Sequence, residues 1–384
     1  MKAPLYWVNI DLKRIDHNIK QIKRLQRPDT KIIAIIKSNA YGHGILPVAL
    51  QAIKSGVDML GVVNAREALD LRKKGLIRPL AVMGAVAKEE MVELARQKVS
   101  FMVHNRRSLL DAVAVANIVR QRINLHLKLE SGINRLGFSV EEALTAARTI
   151  ERHRYLTLEG IWTHLASVEE LNKSYTKSQL FQFEKLLVKL RKAGIKVDRI
   201  PYVSTAASAA AMLLPESRFN AVRLGIAMYG LWPSRGVQAW TKKELHSKKI
   251  HLKPVLRYRT RLVSVRRVPA GVYVGYGCSF QTPKPMTLGV VPVGYAEGLP
   301  RSLSNLGFML LKGAVVPIVG RVCMNMTILD ISKRPQSKPG DEVVIIGRSK
   351  SKEISATDVA DWAGTINYEI VTRLPESIPR IYTN

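Results

Sequence analysis

A chain of 384 residues with 47% hydrophobic content can build two domains with cores of their own, which excludes a disordered or fibrous protein. Its 60 Lys and Arg against 30 Asp and Glu give a formal charge of +30, and its two cysteines, Cys278 and Cys323, are too few and too isolated for a disulfide framework or a zinc site. No stretch approaches the roughly eighteen apolar residues that cross a bilayer, and Met1 to Leu25 is charged and helix-like, so a soluble cytoplasmic protein with reduced thiols is expected. Short apolar runs then alternate with helical periods. Strands are predicted at Lys31 to Ile36, Met59 to Val63, Leu80 to Met83, Val99 to Val103, Asn124 to Leu129, Leu156 to Trp162, Pro201 to Ser204 and Ala221 to Leu224. Helices separate them, among them Asn64 to Lys74 with Asn64 as N-cap, Asn105 to Arg120, and Ser174 to Ala193 ending at Gly194.

Eight strands with crossover helices, repeating about every 25 residues, fit a closed α/β barrel of the TIM type better than an open doubly wound sheet. No Gly-x-Gly-x-x-Gly follows the first strand, which counts against a dinucleotide-binding fold. Character changes over residues 235–254, a polar basic connection ending in Pro254. Short strands follow at Leu256 to Val268, Met286 to Val293, Ala314 to Val319, Thr327 to Ile331 and Glu342 to Ile346, with one late helix from Ser355 to Ala363, capped by Ser355 and Asp358. The expected division is an α/β barrel over residues 12–240, with a β-rich domain formed by 241–384 and the first strand within 1–11.

Residues 235–284 hold twelve Lys or Arg and a single acid, Glu244. Such a surface attracts nucleic acid and other polyanions. Much of the excess, however, lies in an alternating strand where Arg257, Arg259 and Arg261 share one solvated face, and no aromatic-interleaved or helix-turn-helix pattern accompanies it. Neither nucleic acid nor a membrane is therefore expected as a partner.

The chemistry is concentrated where the first barrel strand delivers Lys37 into a Gly-rich polar turn. A strand buried on both faces brings that lysine to the ligand end of a parallel sheet. Partial burial lowers an amine's pKa and frees the lone pair needed for a Schiff base with a carbonyl compound such as pyridoxal phosphate. A lysine just past a strand is otherwise an ordinary solvated end.

The string Lys37-Ser-Asn-Ala-Tyr-Gly-His-Gly44 resembles the cofactor-lysine signature of alanine racemases. The resemblance continues, in order, through His126-Leu-Lys-Leu-Glu-Ser-Gly-Ile-Asn-Arg-Leu-Gly137, Glu159-Gly-Ile-Trp-Thr-His-Leu-Ala166, Asn220-Ala-Val-Arg-Leu-Gly-Ile-Ala-Met-Tyr-Gly230, Val274-Gly-Tyr-Gly277, Gly294-Tyr-Ala-Glu-Gly298, Gly320-Arg-Val-Cys-Met-Asn325 and Gly364-Thr-Ile-Asn-Tyr-Glu369. It implies a pyridoxal 5'-phosphate enzyme that interconverts L-alanine and D-alanine for peptidoglycan, with the barrel and β-domain architecture. By the same resemblance Lys37 carries the cofactor and serves as base on one face of the substrate, and Tyr276 is the base on the other. His164 and Arg223 support Tyr276, and Arg223 also faces the pyridine nitrogen. Tyr41, Ser208, Gly225, Ile226 and Tyr368 hold the phosphate; Arg135, Tyr295, Cys323 and Met324 belong to the substrate end. Lys128 matches a lysine that is carbamylated in many relatives, and without that modification an anion such as chloride is expected between Lys128 and Arg135. The resemblance further implies a homodimer in which the β-domain residues complete the partner's site.

Two positions depart from the family pattern. Asn325 stands where aspartate is usual and loses a negative charge, and Ala207 replaces a common asparagine, with an expected cost of about 1 kcal/mol in cofactor binding. They leave open a broader amino-acid racemase on the same scaffold. More distant alternatives are a non-catalytic pyridoxal-phosphate carrier, which would not need Tyr276, a barrel-type decarboxylase, whose second-domain Cys-Asp motif is absent, and a nucleic-acid-binding protein.

Overall fold

The computed structural model describes residues 4–170, 172–244 and 250–384, so part of the basic connection, 245–249, lies outside the described residues. Two compact units emerge. One comprises Ile15–Ser38 and Val48–Lys253, the other Met1–Arg14, Asn39–Pro47 and Pro254–Asn384.

After a first strand β1 (Tyr6–Asp11), the barrel unit contributes β2 (Lys31–Ile35), β3 (Met59–Val62), β4 (Leu80–Val82), β5 (Ser100–Val103), β6 (Ile123–Lys128), β7 (Leu156–Trp162), β8 (Tyr202–Ser204) and β9 (Ala221–Leu224). All eight barrel strands pair in parallel in the order β8-β7-β6-β5-β4-β3-β2-β9, a nearly closed barrel. Side chains close the seam where β8 meets β9. Asn220 accepts from the Val203 amide at 2.6 Å, and the Arg223 guanidinium donates to the Ser204 carbonyl at 2.9 Å. Ile33, Met59, Ala81, Tyr202 and Ala221 pack the interior, which explains why these strands read as continuous apolar runs. Asn64 and Asn105 cap the helices Ala65–Lys73 and Arg106–Val119, accepting from the amides of Glu67 and Ser108.

The β-rich unit contains a seven-stranded and a three-stranded sheet. The larger joins β1 to β10 (Leu256–Arg261), β13 (Phe308–Leu311), β14 (Ala314–Pro317), β16 (Glu342–Ser349), β17 (Lys352–Ile354) and β18 (Arg380–Thr383); the smaller joins β11 (Ser264–Val268), β12 (Met286–Val291) and β15 (Thr327–Asp330). The single strand predicted from Leu256 to Val268 is therefore two strands in different sheets. The chain crosses between them where the Leu262 amide donates to the Asp341 carbonyl and the Val263 amide to the Val290 carbonyl. Arg257, Arg259 and Arg261 do share one face, but it is half-buried and partnered: Arg259 reaches Glu342 at 3.2 Å, and Arg261 lies 5.1 Å from the Trp7 ring centroid. Ser355 caps the helix Ala356–Ala363 with Asp358 completing the box, as the sequence predicts. Among the described residues no helix is long and apolar enough to cross a membrane.

Candidate active site

Lys37 follows β2 directly, and the Ile36 amide is fixed to the Gly61 carbonyl at 2.8 Å. Burial is the main cause that lowers the Lys37 pKa, with the Arg135 charge adding to it and Glu67 opposing it. Lys37–Tyr41 forms one helical turn, and its hand is reversed: Ser38, Asn39, Ala40 and Tyr41 hold φ of +54°, +51°, +53° and +53°. Four successive non-glycine residues in this region cost about 1–2 kcal/mol each. The surroundings offset that cost. The Ser38 amide donates to Glu67 Oε1 at 2.5 Å, while Glu67 Oε2 accepts from Val63. Further along, Asn39 Oδ1 accepts from the Ile45 amide at 2.8 Å, and buried His43 donates from Nδ1 to the Tyr41 carbonyl at 2.8 Å. Gly42 is required twice over, by its φ of +79° and because a Cβ there would lie 2.0 Å from the Val371 carbonyl oxygen.

At the seam, buried Arg223 donates through Nη1 to the Ser204 carbonyl and hydroxyl, and through Nη2 to the carbonyls of Thr163 at 2.7 Å and Thr205 at 3.2 Å. Nη2 also reaches His164 Nδ1 at 3.5 Å. None of these bonds uses Nε. Burial pulls Arg223 down to about 9, which still leaves it protonated at neutral pH. Burial, aided by the charges of Arg223, Arg135, Lys128 and Lys37, pushes His164 down to about 3, so its imidazole is neutral. Lys128 is buried, donates to the Leu136 carbonyl at 2.8 Å, and is drawn down to about 8, chiefly by desolvation. Trp162, which sequence reasoning did not single out, lies under both cations: its ring centroid is 5.1 Å from Lys128 Nζ and 4.9 Å from Arg223 Cζ. Glu130 supplies a nearby negative charge, its carboxylate accepting from the Gly132 and Arg135 amides at 2.6 and 3.2 Å.

The barrel unit thus gathers the cations Lys37, Lys128, Arg135 and Arg223 around the neutral imidazole of His164. Ser208 joins Gly225: its buried hydroxyl oxygen accepts from the Gly225 amide at 3.1 Å and from the Ala227 amide at 3.4 Å, beside the short turn that begins at Ile226. The Ser208 hydroxyl hydrogen remains for an anionic acceptor. Ala207 caps the following helix without a side-chain bond, the lost capacity that the sequence implies.

The β-rich unit carries the other predicted residues. Tyr41 and Tyr368 have ring centroids 6.3 Å apart, and burial raises Tyr41 to about 12. Tyr295 and the Cys323-Met324 segment are bound together, with the Tyr295 amide on the Cys323 carbonyl at 3.1 Å and the Ala296 amide on the Met324 carbonyl at 2.9 Å. Tyr276 is 72% exposed at the tip of a turn closed by the Val274 amide on the Phe280 carbonyl. Asn325 donates to Glu297 Oε1 at 2.8 Å, a bond that an ionised aspartate could not make.

Sequence comparison finds the pattern described as "Alanine racemase, N-terminal domain" over residues 10–233 and "Alanine racemase, C-terminal domain" over 255–382. An alanine racemase of Desulfosudis oleivorans is 38% identical over 98% of this chain and 96% of its own, and one of Methanococcus maripaludis is 35% identical over 98% of both. Among solved structures, an alanine racemase of Clostridium difficile 630 superposes with a TM-score of 0.91 at 31% identity, covering 100% of this chain and 97% of that one. The alanine racemase of Bacillus anthracis with bound L-Ala-P gives 0.91 at 33%, covering 100% and 96%. A barrel with a lysine-centred cationic end and a separate β-rich unit, matched along its whole length, defines an amino-acid racemase, an isomerase. The chain belongs to the alanine racemase family.

Proposed function

We propose that this enzyme interconverts L-alanine and D-alanine with pyridoxal 5'-phosphate, using Lys37 and Tyr276 as bases on opposite faces of the substrate. The arrangement of Arg223 is the observation that carries the reading: its Nη atoms are spent on carbonyls within the barrel, and Nε is left to a further acceptor. Pyridoxal 5'-phosphate, when bound, supplies an electron sink for the carbanion left by α-proton removal. The residues present fit that group. Lys37 has the lowered pKa that a cofactor-bearing and proton-accepting amine needs. Arg223 would hold the pyridine end of the cofactor through its Nε–H, a donor that keeps its proton at working pH. On the barrel unit the hydroxyl of Ser208 and the amide of Ile226, beside Gly225, would hold the phosphate; Tyr41 and Tyr368 of the β-rich unit are the further phosphate residues that the family resemblance implies.

His164, neutral and accepting from Arg223 at Nδ1, keeps its Nε2–H to donate to the phenol oxygen of Tyr276 and so assists it as the second base. Arg135 takes the substrate carboxylate, together with Tyr295, Cys323 and the Met324 amide. Carbamylation of Lys128 would present a negative charge to Arg135, and its lowered pKa supports this, because only the neutral amine adds carbon dioxide; without it an anion such as chloride would take that place. Tyr276, Tyr295 and Met324 come from a second copy in a head-to-tail homodimer, a reading supported by their exposure of 72%, 44% and 57% on the β-rich unit. D-alanine supply for peptidoglycan places the activity in the cytoplasm.

The test is racemisation of L-alanine by the purified, cofactor-loaded protein, read by chiral chromatography with serine and lysine alongside. Conversion of alanine alone is expected. Comparable rates with serine or lysine would move the enzyme to the broad-specificity reading that Asn325 and Ala207 leave open.

A further inference from the structure

The turn that carries Tyr276 is built from residues that do not hold their own shape. Gly275, Gly277 and Cys278 have φ of +75°, +69° and +46°, so the tyrosine is flanked on both sides by left-handed backbone. The base of the turn is closed by the Val274 amide on the Phe280 carbonyl, a bridge between Tyr273 and Gln281, and the pairing of Gly271 and Val272 with Thr282. Its tip is held from outside, by one short segment of the same unit. Asn305 Nδ2 donates to the Ser279 carbonyl at 3.2 Å, three residues beyond Tyr276. The other end of that side chain, Oδ1, accepts from the Gly320 amide at 2.6 Å, and the neighbouring Ser304 hydroxyl oxygen accepts from the Val322 amide at 3.0 Å. Gly320 in turn lies so close to the Tyr276 turn that a Cβ there would be 2.6 Å from the Val274 carbonyl oxygen, and the Arg321 guanidinium covers Gly277, where a Cβ would approach its Cζ to 2.6 Å.

We propose that Asn305 is a positioning residue that clamps the Tyr276 turn to the Gly320–Met324 segment, fixing the second base relative to the substrate-side residues Cys323 and Met324. This rests on the two-base reading. Asn305 itself sits at φ +60°, a conformation asparagine tolerates better than most residues, so both its backbone and its two-ended amide suit the junction. A displacement of about 1 Å at a reacting group costs up to roughly 100-fold in rate, so the clamp acts on the tyrosine face and not on the lysine face.

The experiment measures loss of α-deuterium to solvent from each labelled enantiomer of alanine, at early times in the cofactor-loaded enzyme. Asn305→Gly relieves the left-handed backbone and so preserves folding while removing both bonds; Asn305→Asp keeps the acceptor for Gly320 but cannot donate to Ser279. Both variants should lose washout from L-alanine by about tenfold or more, while washout from D-alanine stays within about twofold. Hydrogen exchange supplies a readout independent of turnover: peptides covering 273–281 should exchange faster in both variants, and those covering 318–323 faster only in Asn305→Gly. Equal losses for the two enantiomers, wild-type washout from both, or unchanged amide exchange would overturn the clamp. Tyr276→Phe is run beside them. One-sided loss in Tyr276→Phe with wild-type behaviour in Asn305→Gly removes the clamp alone, whereas two-sided loss in Tyr276→Phe removes the two-base reading.

Discussion

Lys37 leaves a strand buried on both faces and enters a reversed turn whose strain is held by carboxylate, amide and imidazole contacts at nearly every residue. Tyr276 stands 72% exposed on a turn flanked by glycines, with Asn305 bonded to its Ser279 end and Arg321 packed over Gly277. The first turn is over-determined, and so preorganises an amine whose protonation is set by the barrel around it. The second has fewer contacts of its own and takes its direction from neighbouring residues of the same unit. The two turns therefore serve different ends: one holds Lys37 where burial lowers its pKa, and the other sets the direction of Tyr276.

Lys37→Ala and Tyr276→Phe break this comparison most severely. Lys37→Ala should abolish racemisation, by more than about 10⁴-fold, together with the visible absorbance of the lysine-linked cofactor; turnover without that band would sink the assignment. Tyr276→Phe should keep the band and lose proton exchange mainly from L-alanine, as chiral analysis in deuterium oxide would show.

Gly42→Ala attacks the rigid turn without touching a reacting group. With a φ of +79° and the Val371 carbonyl in the way, it should destabilise the protein by about 2–4 kcal/mol in denaturant unfolding and loosen cofactor retention. A change under about 0.5 kcal/mol would mean that the turn is not strained as described.

A milder effect follows from pH. Burial lowers His43 to about 4 and His164 to about 3, so between those values and 6.5 the unfolded chain binds protons that the folded chain does not. Stability then rises with pH across that window and is lost as pH falls through it. The melting temperature of the cofactor-free protein should decline from pH 6.5 toward 4, and His43→Asn should flatten the decline; an unaltered profile would contradict the neutral, buried imidazole. Smallest is Ala207→Asn, which restores a helix cap beside Ser208 and should tighten cofactor binding by about 1 kcal/mol in equilibrium titration.

Much of the barrel was legible in the sequence because its signals are local. Apolar runs marked all eight strands, and Asn64, Asn105 and Ser355 announced helix starts by a chemistry confined to three or four residues. The split of Leu256–Val268 was hidden because both halves alternate correctly and only the distant Asp341 and Val290 carbonyls separate them. The strands Phe308–Leu311 and Arg380–Thr383 are four residues each, too short to show a period. At the site, family resemblance singled out Lys37, Arg223 and Tyr276 as residues. It said nothing of the reversed turn, since Ser-Asn-Ala-Tyr has no glycine to betray positive φ, nor of Trp162 between two cations, nor of Asn305, whose role depends on partners 26 and 15 residues away.

The central claim is that two different groups handle the α-proton, one on each face. Racemisation of L-alanine by the cofactor-loaded enzyme in deuterium oxide tests it directly, with label in product and residual substrate read by mass spectrometry after chiral separation. Early D-alanine carrying one solvent deuteron at Cα, beside residual L-alanine still unlabelled, is the predicted result. D-alanine that retains the original hydrogen would mean that one group carries the proton across, and would contradict the account.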